Sequence, residues 1–473
     1  MNIFLFKTLE VLLALSILVF VHELGHYTFA RIFHVWVEKF YLFFNPWFSI
    51  VKWKPGKYLR WFVPGEKENT TNAVHGNEDE KEKRGWRATE YGIGWLPLGG
   101  YCTIAGMIDE SMNTEQMKQP AKSYEFRSKS AWKRLLIMLG GVLFNLLFAM
   151  LIYAGIVYAI GEKKVLLIDA TEGMDYCNAA HQAGFVDGDI PIAMDGKPVM
   201  EYNDVMQNMI DCKTVTVLRN HTDTVTINLP EKFLFAVNQE LQDSGGVFMM
   251  YRLPVVVAQT EARSGAEKAG LQAGDRLLAV NNDSTPSYTE FVGALKAKAD
   301  STVTLTVLRD GNLINVKADI DGNGKLGIRL TEPEKVFKTI SINYGLLASI
   351  PRGIEMGWDK MVTYVKSLKL VFTKEGAQSL GGFGAIGSIF PETWSWLDFW
   401  NITAFISIIL AVMNVLPIPA LDGGHVLFLL YEIITGRKPS DKFLERAQIV
   451  GMALLFALLI FANGNDIYRY LFR

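Results

Sequence analysis

A polar pentapeptide inside an apolar run constrains this chain more than any other feature. His22-Glu23-Leu24-Gly25-His26 follows the almost wholly apolar stretch Val11 to Val21 and precedes Tyr27-Thr28-Phe29-Ala30. On a helix, residues four apart share a face, so His22 and His26 can offer two imidazole nitrogens to one zinc ion. Glu23 is then placed as general base towards a metal-activated water. Polar groups at membrane depth are expensive unless partnered, so their presence points to function.

The 473 residues leave room for several domains, and 50% hydrophobic with 20% charged residues suggests membrane spans joined to soluble modules. The net charge of −2 gives no pull towards nucleic acid. Four stretches are long and apolar enough to cross a bilayer, at about 11–33, 135–160, 402–430 and 449–461. The first has none of the small-residue cleavage pattern of a signal peptide and reads as a retained span. Basic residues flank the second span (Lys129, Lys133, Arg134) and fill the segment before the fourth (Arg437, Lys438, Lys442, Arg446), which makes both cytoplasmic. The long segment between spans two and three then lies on the opposite side. Cys102, Cys177 and Cys212 have no metal-ligand spacing and read as free thiols, although the latter two fall in one module.

That long segment contains a repeat. Ala180-His-Gln-Ala183-Gly184-Phe185-Val-Asp-Gly188-Asp189 returns as Ala266-Glu-Lys-Ala269-Gly270-Leu271-Gln-Ala-Gly274-Asp275, and Val217-Leu218-Arg219 returns as Val307-Leu308-Arg309. The spacing implies two copies of a small domain rather than a short solenoid unit. The signature resembles PDZ domains, and the late position of Leu326-Gly327-Ile328 is similar to the circularly permuted arrangement of bacterial proteases. Such domains bind extended peptides at a sheet edge; these two could equally be spacers.

A catalytic zinc usually takes three protein ligands. The third is sought in Asn414-Val-Leu-Pro417-Ile-Pro419-Ala-Leu-Asp422-Gly423-Gly424-His425, where prolines and glycines break a helix at membrane depth. Asp422 is the favoured ligand; His425 competes for the role, and a helix cap is the bland reading of Asp422.

HExxH in the first span, N-x-x-P-x-P-x-L-D-G-G in a later one and tandem PDZ-like domains between them resemble the site-2 protease family of intramembrane zinc metalloproteases. Within it, the pattern is similar to the bacterial regulator of sigma-E protease type. The resemblance implies zinc on His22, His26 and Asp422, Glu23 as the catalytic acid/base, and Asn414 as a group that binds the substrate backbone. It also implies that the segment around Gly99, Gly100 and Tyr101 forms a membrane-associated β-hairpin whose edge accepts substrate; a core hairpin is the alternative. The implied substrates are single-span membrane proteins such as anti-sigma factors or remnant signal peptides, with peptide C-termini as candidate ligands of the PDZ-like domains. The setting is the bilayer of a bacterial inner membrane, with those domains on the periplasmic side.

Two departures stand out. The family's G-P-x-x-N in the second span is Gly141-Val142-Leu143-Phe144-Asn145 here, and its G-P-I before the third span is Gly382-Phe383 with Ile386 following. Neither is expected to touch a ligand. The polar insert 64–84, including His75, reads as a solvated cytoplasmic loop.

The expected fold is therefore a multi-pass α-helical membrane protein of four transmembrane helices, with two inserted α+β PDZ-like domains and a membrane-associated β-hairpin. Its parts are a first span within 1–34, a cytoplasmic loop over 35–131, a second span within 132–162, PDZ-like domains at 163–250 and 251–335, an amphipathic surface helix and Gly-rich link over 336–400, a third span within 401–432, and a loop with a fourth span over 433–473. Two rivals are an inert membrane-anchored PDZ scaffold with a structural metal and a metal transporter. Glu23 speaks against the first, since a structural site needs no base; the lack of symmetric halves speaks against the second.

Overall fold

A computed structural model describes residues 3–64, 85–97, 99–107, 120–244, 247–261, 264–331, 336–371, 381–391 and 394–472. The insert 65–84, with His75, lies outside the described residues. The chain folds as two compact units, one formed by Met1–Ile160 with Tyr344–Arg473 and the other by Gly161–Asn343.

The first unit is built on helices α1 (Ile3–Ile32), α2 (Ala131–Ile160), α3 (Leu346–Val371), α4 (Phe383–Ile389), α5 (Trp396–Val415), α6 (Asp422–Thr435) and α7 (Asp441–Phe472). Among the described residues, four stretches are long and apolar enough to cross a membrane: Leu5–Ile32, Ala131–Ile160, Trp396–Val415 and Lys442–Ile467. The third span differs from the expected single stretch to residue 430. Its helix stops at Val415 and a new one starts at Asp422, because Pro417 and Pro419 lack the N–H that would continue the helical ladder.

Lipid is as apolar as leucine, so spans associate through close packing at small residues. α1 and α2 meet at Gly25 and Gly140, and a Cβ on Gly140 would stand 2.6 Å from the Gly25 carbonyl oxygen. The two faces of α2 divide the work. Leu143, Leu147 and Leu151 are exposed on one, while Ile137, Gly141 and Asn145, spaced four apart, are buried on another.

The amphipathic segment around 350–372 falls on α3, where Ile350, Ile354, Trp358 and Val365 stay exposed while other residues pack on neighbouring helices. Gly353 meets the backbone of Ala154, Gly357 meets Met150, and Met356 and Met361 pack against a cluster of Ala149, Tyr153, Ala404 and Ile408. These contacts run α3 antiparallel to α2.

The expected hairpin at Gly99-Gly100 is corrected. Strands β1 (Val37–Leu42), β2 (Phe44–Lys54), β3 (Tyr58–Pro64), β4 (Glu90–Leu96) and β5 (Tyr101–Ile104) form one sheet in the order β3-β2-β4-β1-β5. β4 and β5 do not pair; β1 lies between them, parallel to β4 and antiparallel to β5. An apolar strand flanked by Gly-Gly looks locally like half of a hairpin, yet the partner inserted between the two comes from distant sequence. The hairpin in this sheet is β2–β3, and it carries the exposed aromatics Trp47, Trp61 and Phe62.

The second unit contains two modules with separate cores. One runs from Leu167 to Met249 and the other from Val255 to Leu326. In each, a short helix ends at a glycine in the left-handed region, Gly184 at φ 109° and Gly270 at φ 72°. Each then closes with the same ion pair. Arg219 forks onto Asp189 and also donates to the Gly184 carbonyl; Arg309 forks onto Asp275 and donates to the Gly270 carbonyl. The repeated Asp and Arg of the sequence are therefore partners. Arg252, bonded to Glu290 at 2.6 Å and 3.3 Å from Asp175, ties the modules together. Strand Glu162–Val165 pairs with Thr339–Ile342, so the unit begins and ends on neighbouring strands. The three cysteines are free.

Candidate metal centre and active site

α1 carries His22 and His26 one turn apart, with their rings 4.8 Å apart at 80°. α6 starts with Asp422 directly after the Pro-containing break, where Ala420 sits at φ 79°. A non-glycine residue in that region costs on the order of 1–3 kcal/mol, and here it brings the carboxylate to the two imidazoles. Asp422 Oδ2 lies 3.1 Å from His22 Nε2 and 3.3 Å from His26 Nε2, and the two Nε2 atoms are 3.1 Å apart.

His26 Nδ1–H donates to the Ile137 carbonyl on α2 at 2.9 Å, so its Nε2 carries a lone pair. That lone pair, the second imidazole nitrogen and a carboxylate oxygen converge on one point. Asp422 Oδ2 is shielded from solvent and makes no hydrogen bond there. Two imidazole nitrogens and a carboxylate oxygen so placed could hold a cation between them. With zinc–ligand bonds of about 2.0–2.2 Å, tetrahedral ligands stand about 3.3–3.6 Å apart, and the observed edges of 3.1–3.3 Å lie at or just below the short end of that range. The donor set fits zinc.

The remaining expected residues are distributed unevenly. Glu23 follows His22 on α1, and a Cβ at Gly100 would come within 3.6 Å of its Cγ. Gly100 therefore brings the start of β5 against α1 beside the candidate base. Asn414 Nδ2 is 3.5 Å from His22 Nε2. Tyr101 instead stacks on Tyr41 at 5.1 Å and donates to Asn45, and Gly99 faces Phe44. These two belong to the sheet's own packing. His425, the competitor, lies outside the three-residue cluster and lines a separate cavity with Phe126, Arg134 and Glu432.

Two residues expected to touch no ligand do so. A Cβ on Gly141 would stand 2.5 Å from His22 Cε1 and 2.6 Å from His26 Nε2, so any larger residue would displace both imidazoles. Asn145 is fully buried and its Nδ2 is 3.3 Å from His22 Nδ1. The signal for them in sequence was the glycine–asparagine spacing of four in a span without charge. Nothing local to the second span says which helix that stripe faces.

The profile of peptidase family M50 matches residues 10–66 and 80–458. The chain belongs to peptidase family M50. Full-length relatives agree. This M50 peptidase is 27% identical over 487 residues to the regulator of sigma-E protease RseP of Escherichia coli, covering 98% of this chain and 99% of that one. It is 26% identical over 489 residues to the regulator of sigma E protease of Haemophilus influenzae, and 27% over 491 residues to a Vibrio cholerae protein assigned as a zinc metalloprotease, with the same coverage in both cases. The chain is a membrane metalloprotease, and the scaffold and transporter readings fall away.

Proposed function

We propose that His22, His26 and Asp422 hold a zinc ion and that the enzyme cuts peptide bonds in or beside the transmembrane segment of single-span membrane proteins. The observation that carries this reading is the triangle of His22 Nε2, His26 Nε2 and Asp422 Oδ2, with edges of 3.1–3.3 Å. When bound, zinc supplies Lewis acidity, lowering the pKa of water towards about 7 and polarising a carbonyl. Glu23 takes the proton from the attacking water on its carboxylate and later delivers it to the leaving amine. Asn414, with its amide near His22, is suited to hydrogen-bond an unwound substrate backbone. A helical substrate hides its carbonyls in its own hydrogen bonds, so it must be extended before cleavage. β5, at the end of the sheet order and with Gly100 against α1 beside Glu23, offers an edge for that extended chain.

The rest of the reading follows the charges and the repeat. The basic flanks at 129–134 and 437–446 favour a cytoplasmic side for those ends and support a periplasmic second unit across a bacterial inner membrane. The exposed aromatics Trp47, Trp61 and Phe62 along β2–β3 suit a membrane interface. The two modules are PDZ-like and select substrates by bulk, with C-terminal peptide capture near Leu326-Gly327-Ile328 as the second reading. The test is purified enzyme, with and without a chelator, incubated with single-span proteins trimmed outside the membrane. Cleavage that is lost on chelation and restored by zinc supports the proposal; cleavage untouched by metal removal refutes it.

A further inference from the structure

We infer that Asn145 is the positioning residue for His22: its side-chain oxygen accepts the His22 Nδ1–H and so presents Nε2 as the metal-binding lone pair. This rests on the proposed metal role of His22.

The two histidines have unequal supports. His26 is fixed by the Ile137 carbonyl at 2.9 Å, a backbone acceptor that no side-chain substitution removes. His22 has Asn145 facing its Nδ1 at 3.3 Å. To bind a metal through Nε2, a neutral imidazole must carry its proton on Nδ1, and that proton needs an acceptor. The structure presents the amide nitrogen to His22 and leaves Asn145 Oδ1 buried without a hydrogen bond. A half-turn of the amide exchanges the two atoms at almost no change in shape. The oxygen then accepts from Nδ1–H, and the unsatisfied carbonyl and the tautomer requirement are met by one bond.

The rest of Asn145 is held still. Its backbone carbonyl accepts from the Ser407 hydroxyl of α5 at 2.7 Å, between two residues with no exposed surface. Ile137, Gly141 and Asn145 thus form a stripe on α2 in which the first orients His26, the second makes room for both rings and the third orients His22.

The test is zinc affinity of the purified full-length protein, measured by competition with a chromogenic chelator. Asn145→Leu removes the acceptor at similar size and is expected to weaken zinc binding about 10–100-fold. Asn145→Asp keeps an oxygen at the same place and is expected to restore the parent's affinity. Asn145→Ala stands in if the leucine variant does not fold. Gly155→Ala, on the same helix with open space around its Cβ, is expected to bind zinc as the parent does. Parent-like affinity in the leucine or alanine variant, or an aspartate variant as weak as they are, overturns the positioning role and leaves the metal site standing. A parent that binds no zinc overturns both.

Discussion

His22 Nε2 and Asp422 Oδ2 lie 3.1 Å apart, although they come from opposite ends of the chain. The contact depends on two local devices. α1 turns His22 and His26 to one face, and the break after Val415 lets a new helix begin at Asp422. Neither atom can donate to the other while His22 carries its proton on Nδ1, so the pair is poised for a cation rather than for a hydrogen bond.

Glu23→Gln separates metal binding from chemistry. All three proposed ligands remain, so zinc content should equal the parent's. Cleavage should fall by at least the roughly 10²–10⁴-fold that a positioned acid/base contributes. Metal content and turnover are measured on one preparation; substantial turnover in the loaded variant would sink the role of Glu23.

The third ligand is tested by ranking two variants. Asp422→Asn should bind zinc more weakly than any change in a residue behind the ligands, beyond about 100-fold, and lose activity. His425→Ala should be milder, because that imidazole lines a different cavity. A reversed order would make His425 the ligand.

Gly141→Ala tests the room between the imidazoles. A methyl group there would fall 2.5–2.6 Å from ring atoms of both histidines, so zinc affinity should drop by about 10-fold or more while Gly155→Ala, with open space around its Cβ, serves as the control. Equal affinities in the two variants would show that the helices shift to absorb the methyl.

Acid stability of the second module should depend on Arg309. Its hydrogen-bonded guanidinium holds the Asp275 carboxyl below the ordinary carboxylate range of about 4. A depressed folded-state pKa gives stability that is present above the unfolded value and is lost as pH falls through the lower, folded one. Arg309→Met should therefore destabilise the module at neutral pH and flatten its response to acid below about pH 4. Hydrogen exchange of residues 255–326 across that range is the readout; unchanged acid dependence would show that the pair is not what holds the module in acid.

Removal of the second unit tests selection by bulk. Glu162 pairs with Ile342, so residues 163–341 can be replaced by a short flexible linker with the ends already adjacent. The shortened enzyme should stay zinc-loaded and cleave single-span substrates whose external domains are intact, which the parent should reject. A folded, loaded variant that still rejects them would place the filter in the first unit.

Much of this protein was legible from local order alone. HELGH names its own geometry, because a spacing of four on a helix leaves the two imidazoles no choice of face. Apolar length marks spans, since the bilayer sets a thickness that composition must match. The repeat announced two modules, because a turn signature needs the same residues wherever it recurs. Tertiary structure decided the contacts that cross between segments. Asp189 and Arg219 are both in the repeat, yet nothing in the string says that one grips the other. β5 was read as half of a hairpin because its partner β1 lies far upstream. Gly141 and Asn145 were read as incidental because a helix of small and apolar residues is symmetric to inspection. Only the packing of α2 on α1 shows that its Ile137, Gly141 and Asn145 face is the wall of the metal site, since the face a helix buries is fixed by its neighbours and not by its own sequence.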